Sequence, residues 1–71
     1  MEDDILIIFG KTLRRLRRAK DWTQDDMAEI TGFHRNYIGM AERGERNVSL
    51  KNLCVFAKAL GISVSELLKE L

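Results

Sequence analysis

Residues that often cross-link or stiffen small folds are scarce in this sequence. Its 71 residues include no proline, one histidine and one cysteine. Cys54 alone cannot form a disulfide within the chain, and one Cys with one His does not make a zinc site. We therefore expect no metal and no cofactor, and we expect Cys54 to be a small buried or half-buried apolar residue.

Long hydrophobic runs and catalytic motifs are missing as well. The longest apolar stretch, residues 5–9, is far shorter than the roughly 20 residues that cross a bilayer. Two acids that might share a site, Asp25 and Asp26, are adjacent, and a helix would turn them about 100° apart. These absences predict a cytoplasmic protein that is not an enzyme, contacts no membrane and has no evident small-molecule effector.

The net charge of +1 argues weakly against DNA binding, because a basic domain is the usual electrostatic footprint. The charge is, however, polarised along the chain. The balance is +3 over residues 1–20, −4 over residues 21–33, and +1 in each of the segments 34–47 and 48–71. Folding can therefore separate a positive face from the acids of residues 21–33, which we expect to face away from any DNA.

Apolar residues at helical spacing are plentiful, and they predict an all-α fold of five helices in a single domain over residues 1–71. The first helix runs from about Asp4 to Lys20. Its expected inward stripe consists of Phe9, Leu13, Leu16 and Ala19. The arginines at 14, 15, 17 and 18 fall largely outside this stripe and suggest an electrostatic approach surface.

The other four helices share a start signal, in which a polar cap lies between two apolar residues that pack together. The four caps are Thr23, His34, Ser49 and Ser63. Glycines that can adopt the left-handed conformation follow three of these helices. The signals predict helices at Gln24–Thr31, Arg35–Arg43 and Leu50–Leu60, and a fifth after Ser63.

Two short helices joined by a tight turn at Gly32 and Phe33 make residues 23–43 a helix-turn-helix. The motifs are Thr23-Gln24-Asp25-Asp26-Met27-Ala28, Gly32, Tyr37-Ile38, Glu42-Arg43-Gly44, Ser49-Leu50, Leu60-Gly61-Ile62-Ser63 and Leu67-Leu68. Together they resemble the Cro and phage-repressor family, from about residue 9 onward. The segment from Arg35 to Lys51 is also similar to the controller proteins of restriction–modification systems. The resemblance implies a third helix that enters the DNA major groove.

The first turn of the third helix holds the candidate base-contacting residues, Arg35, Asn36 and Tyr37. Arg35 can donate two hydrogen bonds to guanine, and Asn36 can pair with adenine or bind a phosphate. Tyr37 can contact a phosphate or a thymine methyl group, or it can simply cover the edge of the core. Ile38 and Ala41 should face inward. Gly39 should face outward, where its backbone either approaches something closely or is merely tolerated.

Four further residues are candidates for contacts with the DNA backbone. Arg43, Arg46 and Asn47 lie at the end of the third helix and in the following loop, where phosphates flank the groove. For Arg43 an ion pair with a nearby acid is the alternative. Gln24 matches the family position that binds phosphate and braces the third helix, so its role is implied by the resemblance.

A single short helix reads few base pairs, which predicts a homodimer on an inverted-repeat operator in double-stranded DNA. The expected dimerisation region is about 52–71. Its candidate interface residues are Val55, Val64, Leu68 and Leu71. The alternative is that some of them fill the core. The expected function is transcriptional repression or activation of a restriction–modification system and of the protein's own gene. The alternative function is an antitoxin-type protein that neutralises a partner.

Overall fold

The computed structural model describes the backbone of residues 2–71 and the side chains of residues 5–71. The described chain is all-α. Its five helices are α1 (Glu2–Ala19), α2 (Gln24–Thr31), α3 (Arg35–Glu42), α4 (Leu50–Leu60) and α5 (Val64–Leu67). The predicted bounds of α2 and α4 are confirmed. Helix α3 ends one residue early, with Arg43 as its C-cap, and α1 begins before the expected Asp4.

The four predicted caps all work as caps. The hydroxyls of Thr23 and Ser63 accept the backbone N–H three residues on, and the acids at those third positions accept the N–H of the cap residue in return. Ser49 accepts the N–H of Asn52 at 3.1 Å. Because these bonds satisfy donors that a helix start leaves unpaired, short-range chemistry sets where the helices begin.

Residues from all five helices form one core. The largest fully buried side chains are Phe56, Leu13, Met27, Ile38 and Leu67. Phe56 lies at the centre of an aromatic cluster, with its ring centroid 5.1 Å from Phe33 and 6.5 Å from Phe9, both edge-on. These contacts hold α1, α4 and the turn between α2 and α3 together.

Three expectations about individual side chains are wrong. Ala19 is exposed, because α1 ends there. Cys54 is exposed rather than buried, because the inward face of α4 is formed by Phe56, Ala57 and Leu60. Arg17 is not part of an outer basic surface but is buried, at 7% exposure. Among the described residues, no helix is long and apolar enough to cross a membrane.

Candidate nucleic-acid interface

The start of α3 presents two polar side chains to solvent. His34 caps the helix, and its Nδ1 accepts the backbone N–H of Asn36 at 3.2 Å. Arg35 and Asn36 are exposed, while Ile38 and Ala41 of the same helix are buried, as predicted. One face of α3 is therefore anchored in the core, and the other carries hydrogen-bonding groups toward solvent.

Arg35 is held by an acid of the neighbouring helix. Its Nε lies 2.7 Å from Oδ1 of Asp25, and both side chains are more than half exposed. The acids of residues 21–33 were expected to face away from DNA, but this contact places Asp25 next to a candidate base-contacting residue. Since exposed ion pairs are weak, Arg35 can exchange Asp25 for another acceptor.

Tyr37 is bound within the fold. Its ring packs edge-on against Phe33, with centroids 5.0 Å apart, and lies parallel to Phe56. Its hydroxyl accepts a hydrogen bond from Nδ2 of Asn52 at 3.0 Å. Tyr37 therefore covers the core edge, which is one of the alternatives that the sequence leaves open. Because the hydroxyl is an acceptor in this bond, its proton remains available for donation.

A shallow depression of about 90 Å³ lies on the outer face of the helix-turn-helix. Its lining consists of Gln24, Arg35, Asn36, Gly39, Met40 and Arg43. Gly39 does not point freely outward but is buried beneath the Arg43 guanidinium. A Cβ at Gly39 would lie 3.1 Å from Nη1 of Arg43. The nearest atoms belong to flexible side chains and not to backbone. Of the two explanations for this glycine, the structure therefore supports a tolerated position.

The end of α3 and the next loop carry the predicted phosphate-binding residues, Arg43, Arg46 and Asn47, and all three are exposed. Nε of Arg43 donates to Glu45 at 3.0 Å. This hydrogen bond raises the pKa of Arg43 and lowers the pKa of Glu45 below its usual value. The guanidinium of Arg46 lies 5.3 Å from the centroid of the Tyr37 ring, which orients it by a cation–π contact.

A buried ionic network lies beneath this surface. It was not predicted from the sequence. Nε and Nη2 of Arg17 donate to the two carboxylate oxygens of Glu42 at 2.6 and 3.1 Å. Gln24 donates to the same carboxylate at 3.1 Å, so it braces α3 as expected. Helical spacing was the available signal, because Arg17 follows Leu13 by four residues and Glu42 follows Ile38 by four.

The candidate dimer residues divide into two groups. Val64 and Leu68 are partly buried and pack against the core, and Val55 is half-buried. Leu71 is 55% exposed. It lines an apolar groove with Leu68, and this groove reaches Ile5 of α1, which is 52% exposed. The sequence pattern missed the contribution of Ile5.

Known proteins resemble both the sequence and the fold. Control protein C.SmaI of Serratia marcescens is 48% identical over 65 residues, which are 92% of this chain and 77% of that protein. The crystal structure of the restriction–modification controller protein C.AhdI from Aeromonas hydrophila matches with a TM-score of 0.84 and 48% identity, over 87% of this chain and 94% of that chain.

A third relative was crystallised with DNA. The tetramer of the restriction–modification controller protein C.Esp1396I, in complex with its natural 35-base-pair operator, matches with a TM-score of 0.82 and 30% identity. The match covers 93% of this chain and 91% of that chain. Residues 13–67 also match the helix-turn-helix family. The chain therefore belongs to the helix-turn-helix family, in the group that includes the restriction–modification controller proteins.

Proposed function

We propose that this protein is a sequence-specific regulator of transcription that binds double-stranded DNA as a homodimer and controls the genes of a restriction–modification system. The observation that carries the proposal is the exposed start of α3, where Arg35 and Asn36 project from a helix whose other face is buried. The similarity to C.Esp1396I, whose tetramer was crystallised with its operator, supports it. The protein acts by binding DNA, so it catalyses no reaction. It works in the cytoplasm, where the DNA is.

The residues divide by role. Arg35 and Asn36 read base edges in the major groove, and Tyr37 approaches DNA through its hydroxyl proton. Gln24, Arg43, Arg46 and Asn47 bind phosphates on either side of the groove. Four of the six residues that line the depression between Gln24 and Arg43 carry hydrogen-bonding side chains, which suits a surface that follows a phosphate backbone.

Two copies would pair through the apolar groove of α1 and the C-terminal residues, with Leu68 and Leu71 from the end of the chain and Ile5 from α1. Dimers with two-fold symmetry place their recognition helices about one helical turn of DNA apart, roughly 34 Å. The operator is therefore an inverted repeat. Leu71→Asp should shift the chain to monomer in sedimentation and weaken operator binding, while Lys58→Asp on exposed α4 surface should not.

Selection from a random duplex library, followed by footprinting upstream of the protein's own gene and the adjacent genes, tests the function. We expect one inverted repeat to emerge and to be protected. Arg35→Ala should relax specificity at one base step of each half-site by about 1–3 kcal/mol. Arg43→Ala should weaken binding to all sequences alike. A chain that binds every duplex equally, or none, rules the proposal out.

A further inference from the structure

Four cations lie on the outer face of α1, far along the chain from the recognition helix. Their spacing of three and four residues puts them on one side of the helix. We name the set Lys11, Arg14, Arg15 and Arg18 the α1 basic stripe. All four residues are exposed, and together they line one broad, open groove. The stripe is thus a continuous positive surface.

Stability of α1 does not account for this arrangement. Like charges four residues apart on a helix repel each other, as Lys11 and Arg15 or Arg14 and Arg18 must. Attraction to the negative helix end favours Arg18, but the other three residues lie more than one turn before the last residue of α1, where this effect has fallen off. Within residues 5–71, the ion pair found for the stripe joins Arg15 to Glu70, at 2.7 Å. The charge is therefore placed for an external anion.

The stripe borders the side of α1 that supports α3. Gly10 faces the end of α3, since a Cβ there would lie 2.7 Å from the Ala41 carbonyl oxygen. Arg17 faces α3 as well, through Glu42. Arg14 follows Gly10 by four residues and precedes Arg17 by three, so it lies along the same edge.

A fifth cation lies between α1 and α2. Lys20, just past the end of α1, lies over the Trp22 ring, with Nζ 5.5 Å from its centroid. Trp22 precedes the helix start where Gln24 is a candidate phosphate ligand. The next residue after Lys20 is an acid, Asp21, whose backbone N–H donates to the Arg18 carbonyl.

We propose that the α1 basic stripe, through Arg14 and Arg18, binds phosphates of the same DNA duplex just outside the half-site that α3 contacts. This inference rests on the proposed function. Guanidinium groups pair well with phosphate oxygens. Because the cations form a row along the helix, they match the row of phosphates in a DNA strand better than they match a compact anion. The stripe adds affinity without reading bases, and it lengthens the DNA that one dimer covers.

The test compares two duplexes that carry the selected inverted repeat. One ends about 2 base pairs beyond each half-site, and the other extends about 12 base pairs further, past the reach of α3. The wild-type chain should bind the longer duplex about tenfold more tightly at low salt. If each subunit gains two phosphates, the slope of log K against log salt should steepen by about 3 to 4.

Arg14→Gln/Arg18→Gln should bind both duplexes alike and match the wild type on the short one. The control Lys58→Gln/Lys69→Gln removes the same charge from exposed positions on α4 and the C-terminal segment, and should keep the advantage of the long duplex. Circular dichroism and thermal melting check that all the variants fold.

Three results would overturn the inference. They are equal wild-type affinity for both duplexes, an equal loss on both duplexes in the arginine variant, and a loss confined to recruitment of a second dimer. The last would mean that the stripe contacts acids of another copy. Failure of the proposed function is distinct, because the wild-type chain would then not prefer the inverted repeat over a scrambled sequence even on the short duplex.

Discussion

Arg17 of α1 and Glu42 of α3 form a bidentate ion pair, with Nε and Oε2 2.6 Å apart and side-chain exposures of 9% and 2%. A third donor of Arg17, Nη1, binds the carbonyl of Trp22 at 2.6 Å. The pair therefore joins α1, the turn before α2 and the last residue of α3. It sets the position of α3 against the rest of the molecule.

Removing one partner of this pair should be costly. Glu42→Ala leaves the guanidinium of Arg17 buried without its carboxylate, which typically costs about 3–5 kcal/mol. Urea unfolding measures the loss, and the exposed Glu45→Ala should change stability by no more than about 0.5 kcal/mol. The double variant Arg17→Met/Glu42→Leu should recover most of the loss, because no charge remains unpaired. A double variant as unstable as Glu42→Ala would contradict this account.

Two helical glycines should respond oppositely to alanine. Gly10→Ala puts a methyl group against the backbone carbonyls of Ala41 and Glu42, which cannot move without shifting α3. We expect a loss of roughly 2 kcal/mol or more. At Gly39 the neighbour is the flexible end of Arg43, so Gly39→Ala should gain up to about 1 kcal/mol of helix propensity. Thermal unfolding measures the stability of both variants. Equal changes in stability would show that the two glycines do not differ in this way.

Asp25 should restrain Arg35 in the free protein. Asp25→Asn removes the ion pair and one negative charge beside Arg35. Operator binding should therefore tighten by up to about fivefold, which corresponds to the free energy of an exposed ion pair. Asp26→Asn is the matched control for charge, although Asp26 also accepts the N–H of Thr23. Fluorescence anisotropy at fixed salt measures both. Weaker binding by Asp25→Asn would show that the acid assists recognition.

Glu45 should compete with phosphate for Arg43. Glu45→Gln is expected to tighten binding to operator and unrelated duplexes by a similar factor, because phosphate contacts carry no sequence information. Arg43 lowers the pKa of Glu45, so the pair is complete above the usual carboxylate range, near pH 4.3. It is lost only as pH falls through the lowered pKa. DNA affinity should therefore show no titration of Glu45 between pH 6 and 8. A Glu45-dependent change in that range would contradict the assignment.

The helix bounds were predictable because their causes are local. A hydroxyl or imidazole at the start and a glycine at the end lie within a few residues of the backbone groups that they satisfy. Thr23 and Gly32 therefore bracket α2 as expected, with Gly32 left-handed at φ 81°. Ile38 and Ala41 were also assigned correctly to the buried face, since helical periodicity depends on sequence spacing alone.

Roles that depend on a distant partner were only partly predictable. Helical spacing indicates that Arg17 and Glu42 face inward, but it does not show that they pair. Arg17 and Glu42 are 25 positions apart, and a charged residue is normally counted as exposed until its partner is known. Leu71 is a different case, because its 55% exposure is defined by this structure while its pairing with a second copy remains a proposal.

The sequence by itself determined the order of the helices, the limits of α2 and α4, the apolar stripe of α3 and its polar start, because neighbouring residues settle capping and periodicity. Only the tertiary structure decided which charges are buried, which arginines form ion pairs and how α1 contacts α3. Those properties depend on side chains that come into contact only after the chain has packed. Burial then strengthens the attraction between paired charges, and the distance to neighbouring atoms decides whether the methyl group of an alanine fits in place of a glycine.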